Sequence, residues 1–153
     1  MKLAGWVDSA ASRTAEQAIA LLRAIPGGPR IQIPIRCVGS PPSPVQRDFP
    51  NEVINRGIDR APIRRVAIAS LVSAQQHTVA RNRVESYIKK PDLIPKNAHH
   101  KVHGGPIDLP IVIRYQQLNW LYDGHHRTMA AVLLGERTIR CRYVDLDAVK
   151  SRA

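Results

Sequence analysis

Apolar residues at helical spacing mark the first element of the chain, an amphipathic helix predicted over residues 12–24. Its apolar side consists of Ala15, Ala18, Ile19 and Leu22. Ser12 is the predicted N-cap, and the Pro-Gly-Gly-Pro run at residues 26–29 ends the helix. Residues 31–35 then alternate as a strand does, but Pro34 restricts that strand to the edge of a sheet.

Proline dominates the next stretch of the chain. Four of the twelve prolines fall within residues 40–50, and this density predicts an extended arm rather than a helix or a strand. We therefore expect residues 1–60 to form an N-terminal helix with an extended Pro-rich arm. Residues 61–153 are expected to form one compact domain.

Strands and helices alternate in the predicted compact domain. The predicted elements are a strand at 66–69, a helix at 79–90, a loop at 92–105, a hairpin of strands 109–113 and 118–122, and a strand at 138–144. Pro91 ends the helix predicted at residues 79–90. Aromatic residues make up only 5% of the chain, so Ile, Val, Leu and Ala must fill a small core of helices and strands.

A strongly polar cluster stands directly before an apolar helix. The cluster is Asp-Gly-His-His-Arg at residues 123–127, and the apolar residues that follow it are Met129, Ala130, Val132, Leu133 and Leu134. The cluster therefore lies at a helix N-terminus. There, amides without an intrahelical partner and the helix dipole stabilise an anion, by about 0.3–1 kcal/mol from the dipole.

Each residue type in this cluster suits phosphate binding. Gly124 permits a close approach of the backbone, and Arg127 matches phosphate oxygens with its planar fork. His125 and His126 can donate hydrogen bonds or exchange protons near neutral pH. The competing interpretation is structural: Asp123 caps the helix, and the histidines are solvated surface groups.

Net charge narrows the class of partner. Lys and Arg outnumber Asp and Glu by 23 to 12, a net charge of +11, which favours an anionic partner such as nucleic acid or a nucleotide. The predicted DNA-binding residues are Arg64, Arg65, Arg81, Arg83, Lys89 and Lys90. With one Phe, two Trp and four Tyr, the chain offers little for base stacking, so contacts to duplex phosphates should dominate. An ordinary solvated surface is the alternative.

Several other classes are disfavoured. Cys37 and Cys141 stand far apart, so neither a disulfide framework nor a thiolate metal site is predicted. No apolar run approaches the about 20 residues of a membrane-spanning helix, and a soluble cytoplasmic protein is expected. The histidines within residues 99–103 lack Cys or acidic partners at fixed spacing, so no metal site is predicted there. Carboxylates are too few for a two-metal nuclease of the carboxylate-rich kind.

Two segments resemble the ParB N-terminal-like superfamily, also called the ParB/sulfiredoxin fold. The first, VAIASLVSAQQHTVARNRVESYI, is similar to the family's opening strand, Leu-Val segment, Gln and following helix. The second, DLPIVIRYQQLNWLYDGHHRTMAAVLLGERTIRCRYVDL, is similar to its hairpin, phosphate-binding box, helix and closing strand. Together they span about half of the chain. The resemblance implies an α+β fold with a small mixed sheet and packed helices, in a stand-alone domain.

The resemblance also implies a nucleotide site. Partition proteins of the family carry Gly-Glu-Arg-Arg, which aligns with residues 124–127, and use it in binding CTP. Sulfiredoxins have their catalytic cysteine at the position of His125, so sulfinic-acid reduction is not expected here. His126 and Arg127 match the sulfiredoxin pair that contacts ATP phosphates, and free serine kinases also carry an Asp-Gly-His start. Gln75 matches a recurrent family Gln that would contact base or ribose, with a simple capping or loop amide as the alternative.

The resulting hypothesis is a ParB-like, nucleotide-binding, nucleic-acid-associated protein, with a nuclease or nucleotide hydrolase as its candidate activity. The nucleotide-binding residues are Gln75, Gly124, His126, Arg127 and Thr128, and the catalytic residues are His125, Asp123 and His126. His125 would transfer a proton while Asp123 orients a histidine or a metal-bound water. The expected cofactor is a nucleoside triphosphate or diphosphate with Mg²⁺. Two alternatives stay open: a small-molecule phosphotransferase of serine-kinase type that uses ATP or ADP, and a non-catalytic DNA-binding accessory module.

Overall fold

The computed structural model of the chain describes residues 12–74, 78–93, 101–102, 105–106 and 108–151. Its strands are β1 (Arg30–Gln32), β2 (Arg36–Cys37), β3 (Ile63–Ala67), β4 (Leu71–Ser73), β5 (Thr78–Ala80), β6 (Lys101–Val102), β7 (Gly105–Pro106), β8 (Ile111–Tyr115), β9 (Leu118–Asp123) and β10 (Thr138–Asp145). Its helices are α1 (Ala15–Ala24), α2 (Pro44–Asp48), α3 (Asn51–Arg60), α4 (Arg81–Lys89), α5 (His125–Leu133) and α6 (Leu146–Ser151).

Six strands form one mixed sheet in the order β2-β4-β9-β8-β10-β3. The hairpin of β8 and β9 is antiparallel, and β10 lies parallel to β8 and antiparallel to the edge strand β3. On the other side, β4 lies parallel to β9, and β2 lies parallel to β4. A mixed sheet with packed helices confirms the α+β class. None of the helices in the described ranges is both long enough and apolar enough to cross a membrane.

Helices cover both faces of this sheet. On one face, α1, α4 and α5 pack in a hydrophobic cluster that contains Met129, and on the other face α2, α3 and α6 pack in a cluster that contains Ile58. Within β8, Val112 belongs to the first cluster and its neighbour Ile113 to the second, because successive strand residues point to opposite faces. The sheet is therefore the middle of three layers, and the polar cluster at residues 123–127 lies in the α1, α4 and α5 layer.

The predicted N-terminal helix is confirmed, but its cap is Thr14 rather than Ser12. Thr14 Oγ1 accepts a hydrogen bond from the Gln17 amide at 3.2 Å, and Gln17 Oε1 accepts from the Thr14 amide at 3.0 Å. This reciprocal pair is a capping box, which needs Thr and Gln three residues apart. Residues 31–35 do not form one strand: β1 ends at Gln32 and pairs with β5 outside the six-stranded sheet.

The prediction of an extended arm over residues 40–50 is wrong. Pro44 is the first residue of α2, where a proline loses no helical hydrogen bond, and Ser43 and Gln46 form a second capping box. Val45 and Ile54 are fully buried in the second cluster. Residues on both sides of the predicted boundary at 60/61 therefore share the same hydrophobic clusters.

Most of the remaining periodic segments match their predictions, but the strand predicted at residues 66–69 is displaced, because β3 ends at Ala67 and a 3-10 turn follows at Ile68–Ser70. The helix predicted at 79–90 is α4, preceded by the short strand β5, and the final strand is β10. The predicted hairpin is confirmed with a turn at Gln116 and Gln117, whose φ angles are 52° and 62°. Asp147 fixes this turn, because its two carboxylate oxygens accept from both turn amides at 2.7 and 3.0 Å.

Candidate functional site

The Asp-Gly-His-His-Arg cluster lies where β9 passes into α5. Gly124 is the N-cap and has a φ of 95°, which turns the chain from the strand into the helix. The Thr128 amide donates to the Gly124 carbonyl at 3.0 Å, so the amides of the first turn precede the first intrahelical bond. The predicted position of the cluster at a helix N-terminus is confirmed.

Gly124 is packed tightly against Pro110. A Cβ atom on Gly124 would lie 2.6 Å from Pro110 Cβ and 2.7 Å from Pro110 Cα. The sequence interpretation assigned this glycine to the close approach of an anion. In the structure, the space on its Cβ side is filled by the chain just before β8, so the glycine is required for packing as well as for its positive φ.

Two residues with predicted roles at the site use their side chains in hydrogen bonds to the backbone of Gly124, the N-cap of α5. Asp123 Oδ1 accepts from the Gly124 amide at 2.7 Å rather than from a histidine. Thr128 is fully buried, and its hydroxyl donates to the Gly124 carbonyl at 2.9 Å. The Thr128 hydroxyl hydrogen is therefore not offered to a nucleotide, although Thr128 was a predicted nucleotide contact.

His126 joins α5 to the start of α4. Its Nε2 accepts from the Ala80 amide at 3.1 Å, which assigns the proton of the neutral ring to Nδ1. Burial, together with repulsion from Arg83 and Arg30, lowers the pKa of His126 to about 4. His126 is therefore neutral near pH 7, and the nitrogen that could accept a proton already holds a backbone amide.

Replacing His126 tests this assignment through the pH dependence of stability. The folded pKa lies below the unfolded value, so the unfolded chain binds the proton first, and stability is lost as pH falls from about 6.5 to about 4. His126→Gln keeps an acceptor and cannot titrate. We therefore expect the wild type to lose about 1–2 kcal/mol more of its free energy of unfolding than His126→Gln does when the pH falls from about 7 to about 4.5, after allowance for solvent screening. Urea denaturation at both pH values measures this difference, and parallel profiles for the two proteins would contradict it.

Arg127 holds two separate segments of the chain together. Its guanidinium donates to the backbone oxygens of Leu93 and Asp108, and its Cζ lies 5.4 Å from the centre of the Tyr87 ring. Its Nε is buried and has no hydrogen-bond partner within the described part of the chain. Arg127 therefore fixes the chain on both sides of residues 94–107 while it stays half-buried at the edge of a cavity.

This cavity, which we name the α5 cavity, has a volume of about 360 Å³. One side of α5 lines it with Arg127, Ala130 and Ala131, at the three- and four-residue spacing of a single helix face. Arg140 of β10 and Arg65 of the edge strand β3, which pair with each other across the two strands, also line it. The cavity thus brings together cations from three elements that are far apart in the sequence.

The walls of the α5 cavity carry acids as well as arginines. Asp92, Asp108 and Glu136 are the acids among its described lining residues. Asp108 is paired with Arg142, whose Nη2 lies 2.8 Å from Oδ2, and this hydrogen bond lowers the pKa of the Asp108 carboxyl. With Asp92 and Glu136, the described lining contains arginines, carboxylates and apolar side chains.

The six predicted DNA-binding residues do not lie on one surface. Arg65 lines the α5 cavity, and the Arg64 Cζ lies 5.3 Å from the Tyr143 ring centre. Arg81 is turned inwards, and its guanidinium donates to backbone oxygens at the end of α1. Lys89 pairs with Glu85, while Arg83 and Lys90 are exposed, on α4 and just after it.

Sequence reasoning missed Arg140 and the acids of the cavity. The alternation of Arg140 with buried Ile139 and Cys141 marks it as an outward residue of β10, but no spacing rule links it to residue 127. Gln75 and the histidines at 99, 100 and 103 lie outside the described residues. Within the described ranges, no three His, Cys, Asp or Glu side chains are grouped closely enough to hold a metal ion.

Comparison with protein-family models, with curated proteins and with solved structures finds no match to this chain in any of the three. The functional argument therefore depends on the geometry of the site and on its charges.

Proposed function

We propose that this protein binds a nucleotide in the α5 cavity and associates with nucleic acid. The observation that carries the proposal is the mixed lining of the cavity, in which Arg65, Arg127 and Arg140 stand with Asp92 and Glu136 around an apolar helix face. A bare phosphate would need only the cations. A nucleotide also presents hydroxyl and amino donors that carboxylates accept, and flat rings that pack on apolar carbons.

The helix start adds to the case for a phosphate at one end of this cavity. Arg127 belongs to the first turn of α5, so its side chain and the first-turn amides lie at the same end of the helix. Arg65 and Arg140, which also line the cavity, supply further guanidinium donors for phosphate oxygens. A nucleoside triphosphate or diphosphate with Mg²⁺ is the ligand class that fits this distribution.

His125 is the proposed proton-transfer residue if the bound nucleotide is hydrolysed. It is the first residue of α5 and is half-buried. His126 and Asp123 are weaker candidates, because His126 Nε2 and Asp123 Oδ1 each accept a backbone amide. The likeness to the ParB N-terminal-like superfamily supports the same end of α5 as the phosphate-binding end.

The proposal is tested by calorimetry with ATP, CTP, GTP and ADP, each with and without Mg²⁺. We expect at least one nucleotide to bind, and we expect Arg65→Gln/Arg140→Gln to weaken it at least tenfold, since a hydrogen bond to a charged group contributes about 1.5–3 kcal/mol. Both side chains are exposed, so their loss should leave the fold intact.

The matched control is Arg36→Gln/Arg47→Gln, which removes the same charge from exposed positions on β2 and α2. A pure charge effect would weaken binding equally in both double variants and would count against a site in the α5 cavity. Absence of binding to all four nucleotides by the wild-type protein would remove the proposal.

A further inference from the structure

A second cavity, of about 550 Å³, lies between the end of α1 and the start of α4. Its described lining includes three arginines and one carboxylate, that of Glu85. Two further cations follow along α4 and are exposed. We name this surface the α1–α4 basic face, and its cations are Arg23, Arg30, Arg81, Arg83 and Lys89.

Two arginines of this face are held by neutral acceptors. The Arg81 guanidinium donates to the backbone oxygens of Leu22 and Ile25 and to two further carbonyls just beyond α1. The Arg30 guanidinium donates to Thr78 Oγ1 at 2.9 Å and to the Thr78 carbonyl at 2.7 Å. Carbonyl and hydroxyl oxygens fix the orientation of a guanidinium but leave its charge uncancelled, so both groups stay fully cationic in fixed positions.

The acid on this face is shared by two cations. Glu85 lies 3.1 Å from an Arg23 nitrogen and 3.5 Å from Lys89 Nζ. Among the described residues that line the cavity, Glu85 is the one carboxylate beside three arginines, and Lys89 is its second ion-pair partner. Arg83 and Arg30 are also close enough to His126 that their repulsion, after burial, contributes to lowering its pKa to about 4.

We propose that the α1–α4 basic face binds the phosphate backbone of duplex nucleic acid. This inference rests on the nucleic-acid association in the proposed function and assigns the surface that carries it. Cations occur from the first to the last residue of α4, over about 12 Å at 1.5 Å per residue, so a polymer of phosphates matches the face better than one small anion does.

The chemistry of the face favours duplex backbone over single strands. The α1 sequence contains no aromatic residue, and Tyr87 of α4 is only 6% exposed. No aromatic ring of the two helices is therefore available for base stacking, which single-strand binding uses. Arginines that are already fixed lose little side-chain freedom on binding, which lowers the entropic cost of contact with phosphates.

The test is fluorescence anisotropy with a labelled random-sequence DNA duplex of about 20 base pairs over a salt series. We expect the wild-type protein to bind with a steep salt dependence, and Arg23→Gln/Arg30→Gln/Arg83→Gln to bind at least tenfold more weakly. Its slope of log affinity against log salt should be shallower by about 2–3, because about 0.9 counterion is released per phosphate contact. Arg81 is kept, because it holds the end of α1.

Two matched variants separate the face from net charge and from misfolding. Arg36→Gln/Arg47→Gln/Arg56→Gln removes three charges from exposed sites on β2, α2 and α3, and should change affinity less than threefold. Arg23→Lys/Arg30→Lys/Arg83→Lys keeps the charges and should retain most of the salt slope. Equal losses in the two Gln triples, or no loss in the first, would overturn the proposal.

Two further measurements distinguish this inference from the nucleotide site. Nucleotide calorimetry on the Arg23→Gln/Arg30→Gln/Arg83→Gln protein should match the wild type, since these residues do not line the α5 cavity. Nucleotide binding without any duplex binding would overturn the proposal for the α1–α4 basic face and would leave the proposal for the α5 cavity unaffected. Phosphatidylserine vesicles that bind through the same three arginines, while DNA does not bind, would overturn it in favour of a membrane surface.

Discussion

Replacing Gly124 with alanine is expected to lower the free energy of unfolding by about 3 kcal/mol or more. Two costs add at this position. A φ of 95° is strained for any residue with a Cβ atom, at about 1–2 kcal/mol. The new Cβ would also lie 2.7 Å from Pro110 Cα, which cannot move freely because the Pro110 carbonyl accepts from the Arg142 amide at 2.8 Å.

Two other glycines separate these costs. Gly39 has a φ of 74°, and a Cβ atom there would meet nothing within 4 Å, so Gly39→Ala should show the conformational cost without the clash, about 1 kcal/mol. Gly28 has neither a positive φ nor a close neighbour, and Gly28→Ala should stay within about 0.5 kcal/mol of the wild type. Urea denaturation measures the free energy of unfolding of the three variants. If Gly124→Ala costs no more than Gly39→Ala, Pro110 moves to accommodate the new Cβ atom and the clash contributes nothing.

Arg127→Ala is expected to cost about 2–4 kcal/mol of stability and to open the chain around residues 93 and 108. The variant loses donors to two backbone oxygens and the contact with the Tyr87 ring. Removal of the buried Nε, which lacks a partner in the described residues, offsets part of this loss. Arg127→Lys should recover less than half of the stability, because an ammonium cannot span two carbonyls with a planar fork.

Hydrogen exchange of peptides around residues 93 and 108, together with urea denaturation, measures the effect on the fold. Arg140→Ala is the control, because this exposed arginine lines the same cavity and its loss should change stability by less than about 0.5 kcal/mol. Nucleotide affinity should fall more in Arg127→Ala than in Arg127→Lys. Full stability and full affinity in Arg127→Lys would show that the charge is sufficient and the fork geometry is not needed.

Local sequence patterns were enough to predict most of the strongly periodic elements. Helices α1, α4 and α5, the β8–β9 hairpin and β10 all follow from apolar spacing and from turn or stop residues. The error at residues 40–50 came from counting prolines without asking which position each one holds. Ser43 and Gln46 carried a capping-box signal, and Pro44 between them is compatible with the first turn of a helix.

The candidate site was predictable only in its position along the chain. A polar cluster before an apolar helix predicts that these residues lie at a helix N-terminus, and Gly124 and Arg127 are found there. The α5 cavity was not predictable, because Arg65, Arg127 and Arg140 come from three elements with no common spacing. The sheet order places β3 and β10 side by side at the edge, and only that pairing sets Arg65 beside Arg140 at the cavity.

By itself, the sequence determined the class of elements, the polar helix start and the excess of positive charge. The tertiary structure decided which polar atoms are left for a ligand. His126 is engaged by Ala80, 46 residues away, and Arg127 by Leu93, 34 residues away. Hydrogen-bonding capacity is consumed by whichever group the fold brings near, and contacts over such separations depend on packing rather than on any local pattern.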